Sequence, residues 1–579
     1  MAPGFSPERL PIWQRILLGL CILVLIAIIP VVVTSLFPGS PGPGSTHGPV
    51  AVKILAVNDF HGQIPEGQSL ENESAGSAPV LASYLSHAAN ETPGAVTFIA
   101  LPGDVVGASP PDSGLLLDEP TLLFFNEFAT GCCGETSGSC TESCNIVATP
   151  GNHEFDRGVT EMLRKIHGGN GTTTITHLTD PYPGSQAAYV GANVVWSKNQ
   201  TPVLPPYVIR NAGGTKIAFI GADTSETPSL TVPGATDGVV FLNESEAINR
   251  YVTEIQAQGI HAIVVLLHEG GSQDPYTGPT RENTTVTGRV ASIVSSLDPD
   301  VDVVLSAHTH QFTNAYINNS GNNPVLVTQA YSYSRAFADI DIAIDPATDE
   351  IVAKSAQIVP AYADQYPGTA PDPAAATLLR NADTVVSAKT GTVEAVSTTD
   401  IMRQTNAAGE SALGDLVADS ERSSVQADAA FITLGSLRAD LKKGNVTWGD
   451  LFTVQPFSNQ IYAVGMSGRQ IRNVLERQWT DPLPPHSLAV SGLTYSYDPS
   501  RPAGDRVTEV SVGGELLNES KTYRVAIVSY LYGGGDGYTE FANATLTEPG
   551  PLDIDALSAY ISALPQPVNV TTDNRVRVV

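Results

Sequence analysis

The chain has 579 residues, 42% of them hydrophobic, which is too much polypeptide for one core and makes two large domains the expectation. Its formal net charge of −29 repels a nucleic-acid backbone and argues against polymeric DNA or RNA as a partner. A small anionic substrate would need a local positive site, built from metal ions or a few arginines.

In chain order, residues 1–15 read as a cytoplasmic tail and 16–37, "ILLGLCILVLIAIIPVVVTSLF", as a transmembrane signal anchor. The run is uncharged and long enough to span a bilayer, with Trp13 and Arg15 at its inner edge. It lacks the A-x-A-like end of a cleavable signal peptide. The Pro- and Gly-rich residues 38–50 read as a flexible stalk. All that follows is expected outside the cell or in a secretory or vacuolar lumen, and secreted if the anchor is cut. The polar "TDNRVRVV" end carries no lipid-anchor signal. N-x-S/T sequons recurring from Asn72 to Asn569 fit a glycoprotein. Cys132, Cys133, Cys140 and Cys144 crowd into one segment and read as a two-disulfide loop of open pairing, a zinc knuckle being the rival.

Residues 51–362 alternate short Val/Ile-rich runs with helical segments such as "NESEAINRYVTEIQAQ", the pattern of an α/β domain with strands buried on both faces. Residues 363–390 read as a linker and connecting helix, with a hinge region near Gln365 to Pro373. A second α/β domain occupies 391–579, with strand signals in "ADAAFITL", "NQIYAVGMSG" and "TYRVAIVSYLY".

Polar clusters stand at the ends of the first domain's strands. "VKILAV" runs into Asp59 and His61, "VTFIAL" into Asp104, "CNIVAT" into Asn152 and His153, "HAIVVLL" into His268, and "VDVVLSA" into His308 and His310. The carboxyl ends of strands in an open α/β sheet share one rim, where ligands bind. Mixed imidazole and carboxylate donors suit Zn, Mn or a similar divalent transition metal. Seven donors are too many for one tetrahedral ion and suit two, an arrangement that clamps a phosphate for in-line displacement.

The blocks "NDFHG", "PGD", "GNHEFD" and "AHTH" resemble the calcineurin-like metallophosphoesterases. The companion C-terminal region narrows the resemblance to the 5'-nucleotidase family, from about Val52 to Val579. The resemblance implies a sandwich of mixed β-sheets flanked by helices, followed by an α/β substrate-binding domain. It implies two metal ions held by Asp59, His61, Asp104, Asn152, His268, His308 and His310. It makes His153 the transition-state stabiliser or general acid, oriented by Asp156, and leaves Glu154 structural. Ala307 departs from the family's usual glycine before H-x-H.

In the second domain, "GESALGDLVADS", "ADAAFITLGSLRAD" and "YLYGGGDGY" resemble the family's blocks more loosely. By motif position Phe457 and Tyr530 are the base-sandwiching rings, Asp536 the ribose aspartate, and Arg438 the phosphate-gripping arginine. Gly409 stands where the family often has arginine, Thr433 where it has asparagine, and Ser436 replaces a glycine; Arg403, nearby in sequence, is a candidate to compensate. The resulting expectation is a membrane-anchored phosphohydrolase releasing phosphate from nucleoside 5'-monophosphates. The alternatives are a 2',3'-cyclic nucleotide phosphodiesterase or a nucleotide-sugar or diphosphate hydrolase on the same scaffold, or, from another class, a non-catalytic binding protein.

Overall fold

The computed structural model describes residues 48–132, 142–171, 177–282, 284–480 and 487–579. The anchor run and stalk lie almost wholly outside the described residues, as do Cys133 and Cys140. Among the described residues no helix is long and apolar enough to cross a membrane. Cys132 and Cys144 are joined in a disulfide.

Twelve strands form two six-stranded mixed sheets. Their ranges are β1 Val50–Ala56, β2 Val96–Leu101, β3 Ile146–Ala148, β4 Ala188–Tyr189, β5 Tyr207–Ala212, β6 Thr215–Asp223, β7 Ile263–His268, β8 Val301–Ser306, β9 Phe312–Asn318, β10 Pro324–Ala330, β11 Ala336–Ile344 and β12 Ile351–Pro360. The first sheet has the order β12-β11-β1-β2-β3-β4 and the second β9-β10-β8-β7-β6-β5. The pairs β1/β2, β2/β3, β6/β7, β7/β8 and β8/β10 are parallel. Taken alone the strand runs suggest one shared rim, while the resemblance implies a sandwich, with the strand ends on more than one sheet. The structure divides them between two facing sheets; strands buried on both faces carry no sign of which sheet they join.

Alternation along the strands makes the layers. Val52, Ile54 and Ala56 of β1 point into the core between the sheets, with Phe98, Phe219, Leu266, Leu305 and Ile340. Phe98 and Phe219 meet edge to face across it at 5.2 Å. Leu55 faces the other way, with Ile99 and Ile146, toward helices α1 Ala78–Glu91 and α3 Glu119–Asn126, between which lies the short helix α2 Pro111–Gly114 in the chain. The outer face of the second sheet is covered by α4 Glu244–Gln256 and α5 Arg289–Ser295. α4 starts where the Asn243 side chain accepts the Glu246 N–H, a side-chain cap that satisfies an otherwise orphan donor.

Helix α6, Pro373–Thr390, begins with Asp372 accepting the N–H groups of Ala374 and Ala375 and with proline in its first turn. It packs on α1, α2 and α3, and on α8 Trp448–Val454 of the second domain. The expected hinge region is tied to the first domain: Gln365 donates to Glu73 at 3.0 Å and Asp372 N–H to the Pro79 carbonyl at 2.9 Å. The helix ends at its C-cap, Gly391. In the second domain a five-stranded sheet is built on Ala429–Thr433, Gln460–Ser467, Leu488–Ser491, Thr522–Val528 and Thr545–Leu552. Helices α7 Ala412–Ser424, α8 and α9 Asp553–Ala563 share one core beside it. The strand expected through "SYLY" stops at Val528, and Ser529–Tyr532 form a helical turn ahead of the glycines.

Gly221 in β6 marks a close approach that fixes the sheets at their edge. A Cβ there would lie 2.3 Å from the Val190 carbonyl oxygen and 2.6 Å from Thr149 Oγ1. Gly221→Ala should therefore destabilise the fold by about 2 kcal/mol or more. Urea unfolding of the purified variant beside the wild type checks this; an unchanged midpoint would refute it.

Candidate metal centre and active site

The strand-end segments fold into turns that ordinary side chains rarely adopt. Beyond β1, Asp59, His61 and Gly62 donate their N–H groups to the carbonyls of Gly103, Asp104 and Val105, so two loops continue the sheet pairing past its edge. To do so, Asp59 (φ 48°), His61 (φ 50°) and Asp104 (φ 50°) take left-handed backbone, as do His308 (φ 76°) and His310 (φ 58°). Each such residue costs about 1–3 kcal/mol, a strain that persists where surrounding contacts over-determine it. Gly151 permits the closest approach: a Cβ on it would lie 2.4 Å from Asp104 Oδ1 and 2.6 Å from His268 Nε2. Ala307 needs no glycine, since its φ is outside the left-handed region.

All seven expected donors converge. Asp59, His61 and His310 offer ligand atoms to one point, and Asp104, His268 and His308 to another. Asp104 Oδ2 lies 3.1 Å from His268 Nε2 and 3.6 Å from His61 Nε2, so its carboxylate faces both groups. His61 Nε2 and His310 Nε2 are 3.0 Å apart, His310 Nε2 lies 3.6 Å from Asp59 Oδ1, and Asn152 Oδ1 lies 3.2 Å from His268 Nε2. Donors bound to one ion at about 2.1 Å stand about 3.0–3.5 Å from one another, which is the spacing found here. The residues present therefore fit two divalent ions.

The tautomers fit as well. His61 Nδ1 lies 2.9 Å from the Gly107 carbonyl and His268 Nδ1 3.0 Å from the Pro102 carbonyl. A carbonyl can only accept, so each Nδ1 carries a proton and each Nε2 points inward; Asp104 and Asp59, against burial, raise His268 well above its usual range, so its Nε2 holds a proton that a bound metal would displace. Burial pushes the imidazoles of His61 and His310 well below their usual range; burial and the neighbouring His268 bring His308 down to about 3. All three are thus neutral, the form that ligates a metal. Burial raises Asp59 to about 7, a carboxyl short of positive charge. Asp104, despite burial, is held well below the carboxylate range by His268 and His153.

His153 also stands within reach of a donor group, with His61 and Asp104, but its ring is engaged by a carboxylate. Its Nδ1 lies 2.8 Å from Asp156 Oδ2, and despite burial that carboxylate and Asp104 raise the imidazole. Its backbone N–H donates to Asp104 Oδ1 at 2.9 Å. Glu154 has the structural contacts expected of it: its carboxylate accepts the N–H groups of Gly151, Asp104 and Val105 at 2.6–3.0 Å.

One cavity of about 680 Å³, within the usual range for small-ligand sites, joins the two domains. Asp104, Asn152, His153, Asp156, His308 and His310 line it from one side, and Arg438, Phe457, Tyr530 and Asp536 from the other. Phe457 stacks on His153, with ring centroids 5.8 Å apart. Tyr530 donates its hydroxyl to Asp536 at 2.7 Å. Thr433 and Ser436 line the cavity, whereas Gly409 and Arg403 do not. Gly409 occupies a turn at φ 91°, and Arg403 grips Asp440 and the carbonyls of Leu437 and Arg438, so it braces the Arg438 loop and does not replace a substrate arginine.

Two neighbours of the site escaped the sequence reading. Asn58 donates to Asp59 Oδ2 at 2.7 Å and accepts the Ala330 N–H, holding the carboxylate in place. Tyr333 accepts a hydrogen bond from Arg438 Nη2 at 2.8 Å, while its ring meets His61 and His310 edge to face. The adjacency of Asn58 to Asp59 was visible; Tyr333, in a return loop, left no pattern.

Residues 52–312 match the calcineurin-like phosphoesterase family and 388–543 the 5'-nucleotidase C-terminal domain. Cell wall protein Lmo0130 of Listeria monocytogenes is 30% identical over 576 residues, covering 93% of this chain and 70% of that protein. Endonuclease YhcR of Bacillus subtilis is 29% identical across 91% of this chain, which spans 41% of YhcR. The 5'-nucleotidase precursor of Thermus thermophilus shares the fold, with a TM-score of 0.72, 23% identity, and coverage of 91% of this chain and 99% of that one. The chain belongs to the calcineurin-like phosphoesterases that carry a 5'-nucleotidase C-terminal domain, and it is a metal-dependent phosphoester hydrolase.

Proposed function

We propose that the chain releases phosphate from nucleoside 5'-monophosphates outside the cytosol. The observation that carries this reading is the single cavity shared by the metal-ligand cluster and the aromatic and carboxylate groups of the second domain. Asp59, His61, Asp104, Asn152, His268, His308 and His310 would hold two divalent ions, Zn, Mn or a similar metal. Bound there, the ions supply Lewis-acid stabilisation of charge on the phosphoryl oxygens.

The remaining roles fall to this chain's side chains. Arg438 has a buried Nε without a protein acceptor and a guanidinium held by Tyr333, so it can offer N–H groups to the phosphate. His153, kept protonated by Asp156, donates its proton to the leaving ribose oxygen. Asp536 accepts from the ribose hydroxyls, and Phe457 and Tyr530 present rings to the base. YhcR is named as an endonuclease, but this chain spans less than half of that protein, and the net charge of −29 opposes a polymeric substrate. The Cys132–Cys144 disulfide supports an oxidising compartment, as does a relative named as a cell wall protein.

Asp104 faces both donor groups, so Asp104→Asn should lower bound metal from two equivalents to one or fewer and abolish turnover. Elemental analysis after loading with Mn²⁺ and gel filtration checks this. Full loading of the variant would overturn the shared role.

His153→Ala should keep both equivalents and lower kcat for AMP by about 10²–10⁴-fold, the usual worth of a positioned acid. The assay is phosphate release from AMP, UMP, 2',3'-cyclic AMP, UDP-glucose and ATP, with the products of the cyclic and sugar substrates resolved directly. Turnover confined to cyclic or diphosphate substrates would replace the monophosphate reading with one of its alternatives.

A further inference from the structure

Beyond the rings and the ribose carboxylate, the second-domain end of the cavity holds an unusual set of polar groups. Gln455, Asn459 and Asp553 line it beside the apolar Ile432 and Val528. Gln455 is 2% exposed; its Nε2 faces the Glu421 carboxylate at 3.4 Å, and its Oε1 has no protein hydrogen-bond partner. Glu421, behind it on α7, is wholly buried and has an Oε2 likewise without a partner. Asp553, 1% exposed, accepts the Ile554 N–H at 2.7 Å and stands next to Asn459, whose Oδ1 accepts from Ser529, the neighbour of Tyr530.

Nothing cationic balances this wall. No lysine or arginine among the described residues is a main influence on either acid, and burial raises Asp553 to about 7 and Glu421 well above its usual range. Leaving the Gln455 Oε1 and the Glu421 Oε2 buried without donors is unfavourable. A ligand that brings N–H donors to this wall recovers that cost; an exocyclic amine offers two, against the single N1–H of hypoxanthine. Gln455 stands two residues from Phe457 and Val528 two from Tyr530, and all four line the same cavity, so a base held by those rings lies beside the wall.

We propose that Gln455 and Asp553, with Glu421 fixing the Gln455 amide, read the amino edge of the nucleobase, so that the chain prefers purines carrying an exocyclic amine over the keto purine hypoxanthine. The inference rests on the nucleotide reading above and adds the base selectivity to it. Gln455 orients its acceptor through Glu421, and Glu421 is a positioning residue.

The test compares kcat/KM for AMP, GMP and IMP, each divided by the value for ribose 5-phosphate, which carries no base. IMP differs from GMP by one amino group. The better of AMP and GMP should exceed IMP by about tenfold or more, as sites that pair a substrate N–H discriminate against its absence. Gln455→Leu and Asp553→Asn should each bring that ratio below about threefold, while neither changes the metal stoichiometry. IMP turned over as well as both amino purines would overturn the proposal and leave the nucleotidase reading standing, whatever the variants do. A preference that survives in both variants would also overturn it. Hydrolysis of ribose 5-phosphate with refusal of every nucleotide would sink the nucleotide reading and the base preference together.

Discussion

The carboxylate of Asp104 lies between two buried histidines, with His268 Nε2 at 3.1 Å and His61 Nε2 at 3.6 Å, and water cannot relieve it. A charge so enclosed is tolerated only when paired and hydrogen-bonded. Its loop is accordingly pinned: the Glu154 carboxylate holds the Asp104 and Val105 N–H groups, and Asp104 in turn accepts the His153 N–H. The "GNHEFD" turn and the "PGD" turn therefore cannot move separately. The amide, imidazole and two carboxylates of that one turn each face a different neighbour: Asn152 faces His268, His153 and Asp156 face each other at the cavity, and Glu154 faces backbone.

The same loops are where the backbone is strained. Five of the seven donors lie in the left-handed region, and at about 1–3 kcal/mol each they draw on stability supplied elsewhere. The supply is the core between the sheets, closed by rings such as Phe98 and Phe219. A sandwich suits this task better than one open sheet. Donors approach from two directions, Asp59, His61, Asp104 and Asn152 from the first sheet and His268, His308 and His310 from the second, so the cluster is enclosed rather than spread along an edge.

That enclosure sets what the sequence could reveal. The donors were legible because each follows a Val/Ile-rich run directly and differs in type from loop filler, so position and chemistry agreed. The split into two sheets came only from the resemblance, because runs buried on both faces look alike in either. The paired strands Ala336–Ile344 and Ile351–Pro360 were passed over, and with them the return loop that carries Tyr333. Gln455, Glu421 and Asp553 look like surface residues in the sequence; only the packing of α7 and α9 beside the cavity buries them. Arg403 misled for the opposite reason: proximity in sequence suggested a substrate contact, whereas its fork is spent on Asp440 and backbone carbonyls.

The contacts between the two domains carry a further consequence. Phe457 lies on His153, and Arg438 is hydrogen-bonded to Tyr333, whose ring touches two of the candidate ligands, His61 and His310. A base stacked on the face of Phe457 that now meets His153 would take the imidazole's place, so the two are alternatives for one ring face. His153 acting on a leaving oxygen and Phe457 holding a base on that face thus require a small displacement of one domain relative to the other, or use of the ring's opposite face. The Arg438–Tyr333 hydrogen bond is worth about 1–3 kcal/mol, within reach of what a phosphate offers the same guanidinium. The Arg438–Tyr333 and Phe457–His153 contacts are therefore ones a substrate can replace, whereas α6 stays packed on α8 and the cluster of candidate ligands is fixed by its own buried hydrogen bonds.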